Sequence, residues 1–144
     1  DQSRATFSPD GHWVAYTSTE SGTAQIYVQP FPKTGAKFQI SREGAQAPVW
    51  SPDGKELFYY QTNSRKLVAV HIQTQPTLSF GEPSPLPIEG LLQGAPNHTD
   101  YDVMPDGKRF LIFLPGAQSG IRSPQQIHVV LNWFEELKQR VPVP

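Results

Sequence analysis

The sequence contains no cysteine, which excludes disulfide bonds, thiolate metal sites and cysteine nucleophiles. An excess of charge of either sign is also lacking, because the formal net charge is −1. No overall basic field therefore favours nucleic acid or an anionic membrane. No apolar run approaches the roughly 18 residues needed to span a bilayer, so no membrane insertion is predicted. The 144 residues suffice for one folded domain, and Asp1 suggests a piece of a longer protein.

Catalytic motifs are missing as well. The chain has no Gly-x-Ser-x-Gly nucleophile elbow, no glycine-rich phosphate loop and no His-Arg-Asp catalytic loop. The histidines His12, His71 and His128 are scattered over different repeats. His98, Asp100 and Asp102 alternate and could share a strand face, but the loop context and the lack of a third strong ligand argue against a metal site. We therefore predict no catalytic, metal-binding or cofactor-binding residue and no cofactor, so the chain itself is not expected to be an enzyme.

Proline and glycine, by contrast, are abundant, with 15 and 11 residues. One tripeptide occurs three times, each time between apolar segments, and its copies are Pro9-Asp10-Gly11, Pro52-Asp53-Gly54 and Pro105-Asp106-Gly107. The copies are separated by intervals of roughly 40–50 residues, which is typical of repeat architectures.

Each residue of this tripeptide has a physical role in a turn. Proline presets φ, aspartate bonds nearby backbone amides, and glycine supplies a positive φ. The pattern predicts a type I turn closed by a glycine bulge, hence a β-hairpin at each copy. A binding site built from the three aspartates is the alternative interpretation, but turn capping already accounts for them.

The strands follow from this hairpin. The predicted strands are 4–8, 13–18, 24–29, 37–41, 47–51, 56–61, 66–72, 85–89, 100–104, 108–114 and 126–131. Four antiparallel strands fill about one repeat, which is the size of a propeller blade. The sequence thus predicts an all-β fold of about three blades, a partial propeller with a short C-terminal helix. Within the single unit 1–144, blade 1 spans 1–44, blade 2 spans 45–92, an incomplete blade 3 spans 98–132 and the helix spans 133–140.

Three blades cannot close a ring, because propellers have about 4–8. The second strand of each repeat is apolar at nearly every position, so it should be covered on both faces. We therefore expect upstream blades or a second identical chain, in a homodimer, to complete the ring; the alternative is an open arrangement in which the C-terminal helix covers an end. The many aromatic residues recur in register with the repeat, so packing between blades explains them better than binding of nucleic acid.

Residues 7–16 and 50–59 resemble the TolB-type β-propeller repeat, a relative of the WD repeat. Residues 4–18 with 26–32, together with the ending at 129–137, resemble the C-terminal propeller of bacterial receptor-like serine/threonine kinases. In that family a kinase domain and a membrane helix precede a propeller outside the cytoplasm. The resemblance implies a periplasmic or otherwise extracytoplasmic location, but no kinase motif occurs here.

These observations favour a non-catalytic binding or sensor module that contacts a protein or small ligand, at the end of a receptor-like kinase. An accessory propeller of a peptidase or other hydrolase is the alternative, since such enzymes carry related propellers beside a separate catalytic domain. A third reading is a self-assembling half-propeller with a purely structural role. The fold by itself does not decide between them.

Overall fold

The computed structural model describes residues 2–88, 101–114 and 126–130. All regular structure in these residues is β-strand. The described residues therefore contain no helix that is long and apolar enough to cross a membrane. The predicted helix at 133–140 lies outside the described residues.

In the described residues, twelve strands form three antiparallel sheets, which we call blades 1 to 3. Blade 1 contains four consecutive strands, β1 (Gln2–Phe7), β2 (Trp13–Ser18), β3 (Gln25–Pro30) and β4 (Phe38–Gln39). Blade 2 contains β5 (Ala45–Trp50), β6 (Glu56–Gln61), β7 (Lys66–Gln73), β8 (Ser79–Phe80) and β9 (Ser84–Pro85). Blade 3 contains β10 (Tyr101–Val103), β11 (Phe110–Leu114) and β12 (Gln126–Val130). The predicted all-β class with antiparallel, propeller-type blades is confirmed.

The last strand of blade 2 differs from its prediction. A single strand at 85–89 was expected, whereas β8 and β9 both pair with β7 and leave a gap between them. The Leu86 N–H donates to the Leu67 carbonyl at 2.8 Å, so pairing continues one residue past β9. Prolines at 83, 85 and 87 have no N–H to donate, which explains why the edge strand is broken into short pieces.

The first strands of blades 1 and 2 each contain a β-bulge that the sequence did not indicate. The register shifts between Ser3 and Thr6 in β1, and between Gln46 and Val49 in β5. Arg4 and Ala47 occupy the same position relative to the two turns and have φ values of 51° and 58°. Neither residue is a glycine, so the bulge leaves no local sequence signal.

The core lies between neighbouring blades. In β6, Leu57 and Tyr59 pack in one cluster with blade 1. The alternate residues Phe58 and Tyr60 pack in a second cluster with blade 3. The strand is therefore covered on both faces, as its apolar composition predicts. We call the face of a blade that packs on the preceding blade its incoming face, and the opposite one its outgoing face.

Side-chain hydrogen bonds also link the first strands of successive blades. The Trp50 indole N–H donates to the Thr6 carbonyl at 3.3 Å. One blade further, the Tyr101 hydroxyl donates to the Ala47 carbonyl. Complete burial raises the pKa of Tyr101 well above its usual value, so this hydroxyl stays a donor. Both acceptors lie at the bulges, Thr6 at the end of one and Ala47 within the other.

Candidate functional site

The Pro-Asp-Gly turns form one edge of the blades. In the first turn, the Gly11 N–H donates to the Ser8 carbonyl at 2.9 Å, and Gly11 has φ 73°. Asp10 Oδ1 accepts the His12 N–H at 3.1 Å. The second turn repeats these bonds: Gly54 donates to Ser51 at 2.9 Å, and Lys55 donates to Asp53 Oδ1 at 3.1 Å.

The serine before each of these turns forms hydrogen bonds with the turn aspartate and with the strand that follows the turn. Ser8 Oγ accepts the Trp13 N–H at 3.0 Å and donates to Asp10 Oδ1 at 2.5 Å. Ser51 Oγ does the same with the Glu56 N–H and Asp53 Oδ1, at 2.9 and 2.6 Å. The hydroxyl thus ties the turn aspartate to the first amide of the next strand, a link that the sequence analysis did not foresee.

The third turn lacks this serine. Met104 takes its place, and the Gly107 N–H still donates to the Met104 carbonyl at 2.8 Å. Asp106 Oδ1 accepts the Lys108 N–H at 3.0 Å, and its other oxygen accepts the Arg109 Nε–H at 2.6 Å. An arginine side chain therefore replaces the serine hydroxyl as the second donor to the aspartate.

These donors set the charge state of the aspartates. The Ser8 hydroxyl and the His12 N–H lower the pKa of Asp10 below its ordinary value. Burial acts to raise the pKa of Asp53, but donors from Ser51 and the Lys55 N–H outweigh it, and the pKa is lowered. The turn aspartates are thus ionised, and each is already bonded within its own turn.

Successive turns also stack on one another. A β-carbon placed on Gly54 would lie 3.5 Å from Cδ of Pro9, and one on Gly107 would lie 3.7 Å from Cδ of Pro52. The proline of one blade therefore contacts the glycine of the next. The tripeptide serves the hairpin and also the spacing between blades, and only the first role was evident from the sequence.

A cleft of about 450 Å³ is lined by residues of the second and third turns. The charged and titratable residues that line it are Asp53, Lys55, Glu56, His71, Asp106 and Lys108. The matching cleft between the first and second turns is smaller, about 290 Å³. We call the larger one the turn cleft.

Glu56 distinguishes the turn cleft from the cleft between the first and second turns. Counted from the turn proline, it occupies the position of Trp13 in blade 1 and of Arg109 in blade 3. Trp13 packs against the core and lies 6.3 Å from the Phe38 ring, centroid to centroid. A glutamate there leaves room that the larger tryptophan would occupy. Within the described residues, the Glu56 carboxylate makes no hydrogen bond or ion pair, since only its backbone is bonded.

Burial, with a smaller contribution from the charge of Asp53, raises the pKa of Glu56 to about 7. The residue is therefore a half-buried carboxyl that is near its titration midpoint at neutral pH. Nothing in its local sequence signals this, because the burial that dominates the pKa shift is a property of the folded chain.

The other residues considered from the sequence do not converge. His12 is exposed and its Nδ1 lies 3.5 Å from Asp10 Oδ2. Asp102 is exposed and accepts the Val103 N–H at 2.8 Å. His98 and Asp100 lie outside the described residues, and His128 is described only as part of β12. Among the residues that the structure describes, no group of three potential ligands could hold a metal ion.

No family model matches this chain, and no curated protein matches it. Among solved structures, the chain is similar to TolB from Acinetobacter baumannii, at 17% sequence identity and a TM-score of 0.41. The match covers 92% of this chain and 41% of the TolB chain, so this chain corresponds to less than half of that protein's length. At this degree of similarity, the blades described above, and not the comparison, define the class of protein: an all-β partial propeller.

Proposed function

We propose that this chain is a non-catalytic β-propeller module that binds a positively charged group of a peptide or small ligand in the turn cleft. The observation that carries the proposal is the Glu56 carboxylate, which faces a cleft of about 450 Å³ without a protein partner in the described residues. Propellers bind ligands through the loops at one edge of their blades, and this cleft lies among such loops.

The chemistry of the cleft supports a cationic group. A half-buried carboxylate is stabilised when an ammonium or guanidinium group pairs with it. Asp53 and Asp106 add negative charge, although both are bonded in their own turns. Lys55 and Lys108 line the same cleft, so the ligand needs one localised positive group and not a uniformly basic surface.

Nuclear magnetic resonance tests this directly. Titration of ¹⁵N-labelled protein with N-acetyl-arginine amide at pH 8 is expected to shift the backbone signals of Glu56 and Lys108. N-acetyl-glutamine amide, which is neutral, serves as the matched probe and is expected to shift neither. Because the pKa of Glu56 is about 7, binding should weaken at pH 6, where the carboxyl is mostly protonated.

Two variants distinguish binding in the turn cleft from a general effect of charge. Glu56→Gln is expected to remove both the shifts and their pH dependence. Glu82→Gln, an exposed carboxylate 4.0 Å from Arg42, should leave both unchanged. Equal binding by wild type and Glu56→Gln would overturn the proposal.

We further propose that the module is the extracytoplasmic sensing end of a larger bacterial receptor-like kinase. The support is the resemblance of residues 4–18, 26–32 and 129–137 to that family. The test is the genomic sequence on the N-terminal side, where a kinase domain followed by a membrane helix is expected. A hydrolase domain in that place would favour the accessory propeller of a peptidase instead.

A further inference from the structure

Two of the carboxylates in the turn cleft already have a cationic neighbour in their own turn. Asp106 accepts the Arg109 Nε–H at 2.6 Å. Asp53 lies near Lys55, and the two opposite charges attract each other. These two carboxylates are therefore largely neutralised by the chain itself, before any ligand enters the cleft.

Two opposite charges remain in the cleft once these pairs are set aside. One is the Glu56 carboxylate. The other is the ammonium group of Lys108, a residue that donates its backbone N–H to Asp106 at 3.0 Å but whose side chain has no partner among the described residues. Glu56 and Lys108 both line the cleft, yet they form no ion pair with each other in the described part of the chain. The cleft thus offers one anion and one cation to a ligand.

The two charged groups also differ in position. Glu56 is the first residue of β6 in blade 2, whereas Lys108 belongs to the turn of blade 3. The Glu56 side chain is half-buried and the Lys108 side chain is exposed. A ligand between the blades would therefore place its cationic group at the deeper position and an anionic group nearer to solvent.

We propose that the ligand of the turn cleft is the C-terminal arginine or lysine of a peptide, whose side-chain cation pairs with Glu56 and whose α-carboxylate pairs with Lys108. This inference rests on the proposed function, because it extends the same cleft from one charged contact to two. A C-terminal basic residue carries both charges on a single residue, in the order in which the cleft offers their partners.

The size and the apolar lining of the cleft fit one such residue. A volume of about 450 Å³ lies in the lower part of the range of about 300–1,000 Å³ that is usual for ligand pockets. Pro52 and Pro105 line the cleft together with the charged residues. Arginine and lysine have methylene stems that pack on apolar surface of this kind while their charged ends reach polar partners.

A peptide end fits the cleft better than a free basic amino acid does. A free amino acid carries an α-amino group beside its carboxylate, and this group adds positive charge. Lys55 and Lys108 both line the cleft, so an additional positive group next to the carboxylate would be repelled. In a peptide the same nitrogen is an uncharged amide.

Nuclear magnetic resonance titration of the ¹⁵N-labelled chain at pH 8 tests the second contact. N-acetyl-arginine and N-acetyl-arginine amide differ only in the carboxylate. The acid is expected to bind about threefold more tightly, the gain typical of a partly exposed ion pair. Equal or weaker binding of the acid would overturn this inference and leave the proposed function intact. Binding of neither compound would overturn both.

A lysine variant assigns the contact. Lys108→Gln is expected to bind the acid and the amide equally, without weaker binding of the amide, a result that a misfolded protein would not give. Lys66→Gln, at an exposed lysine of β7 outside the cleft, is the matched control and should keep the preference for the acid. A preference that survives in Lys108→Gln would contradict the pairing of Lys108 with the carboxylate.

Two peptides of equal composition and charge test the position of the basic residue. Acetyl-Ala-Ala-Arg carries its two charges on one residue, whereas acetyl-Arg-Ala-Ala separates them. The first is expected to bind more tightly to the wild-type chain, and equal binding would overturn the assignment to a C-terminal residue. Free L-arginine is expected to bind more weakly than N-acetyl-arginine. Tighter binding of L-arginine would make a free amino acid, and not a peptide end, the ligand.

Discussion

Blades 1 and 2 have the same hairpin turn and the same first three strands, yet they differ in what covers them. The incoming face of blade 2 packs on blade 1, so that Trp50 and Ile72 are buried. The matching Phe7 and Phe31 of blade 1 are each more than half exposed. The comparison separates two kinds of stabilisation. Turn hydrogen bonds are local and are made in both blades, whereas burial at the positions of Trp50 and Ile72 depends on a neighbouring blade.

The largest difference in stability should come from Trp50 and Phe7, which occupy equivalent positions in blades 2 and 1. Trp50→Ala is expected to lower the free energy of unfolding by about 3–4 kcal/mol, because it leaves a cavity between blades and removes the bond to Thr6. Phe7→Ala should cost less than about 1 kcal/mol, because the ring is already largely in water. Urea denaturation of the two variants, at a concentration where the protein is monomeric, measures both. Equal losses would mean that neighbouring blades do not determine the difference.

The turn serines Ser8 and Ser51, in contrast, should contribute equally to the stability of the two blades. Ser8→Ala and Ser51→Ala each remove the acceptor of a strand amide and a donor to an aspartate. We expect each to cost about 1.5 kcal/mol, and the two losses to agree within about 0.5 kcal/mol. Ser79→Ala, at an exposed serine of β8, is the control and should have little effect. A much larger loss in one blade would show that turn stability is not local.

Glu56 gives a comparison that depends on pH, since blade 1 has Trp13 at the same position. The pKa of Glu56 is about 7 in the folded chain and near 4.5 when unfolded, so the folded state binds more protons between these values. Wild-type stability should therefore fall as pH rises from about 4.5 to about 7, and Glu56→Gln should not show this fall. Discounting the shift for the solvent-exposed part of the group, we expect the variant to be about 1 kcal/mol more stable at pH 8.

Urea denaturation of both proteins between pH 4 and pH 8 checks this, with Glu82→Gln as the control. The two stability curves should meet near pH 4 and separate above pH 5. A separation that is the same at every pH would contradict a raised pKa for Glu56.

The smallest expected effect is a gain in the third turn. Met104→Ser would supply the hydroxyl that blades 1 and 2 have and blade 3 lacks. The new bonds to the Arg109 N–H and to Asp106 should add about 0.5 kcal/mol, partly offset by the lost methionine packing. Thermal unfolding measures the change. A lower melting temperature would show that the Arg109–Asp106 pair already does the work of the serine.

Much of the local structure could be predicted from the sequence. The bounds of β2 and β6 match the prediction at both ends, because an apolar strand directly follows a turn whose proline and glycine fix the chain direction. The edge position of Pro85 also followed from its missing N–H. The bulges at Arg4 and Ala47 left no signal, because both are ordinary residues with positive φ. The break between β8 and β9 was not predicted, although the prolines that explain it are visible in the sequence.

The candidate site was not predictable in the same way. The three turn aspartates were identified, but Glu56 was not, because its sequence neighbours are those of any strand entering a sheet. Its cleft is lined on one side by the turn of the next blade, whose proline lies 53 positions further along than the one before Glu56. Only the packing of blades could bring Lys108 and Glu56 to the same cleft.

The sequence by itself thus determined the repeat, the turns and the apolar composition that lets a central strand such as β6 be covered on both faces. These depend on backbone conformation and on period-two burial, which a few neighbouring residues encode. The tertiary structure decided which turn residues stack, which carboxyl faces a cleft without a partner in the described residues and which aromatic side chains of blade 1 stay exposed. Those properties depend on contacts between segments a whole repeat apart, and no local pattern specifies them.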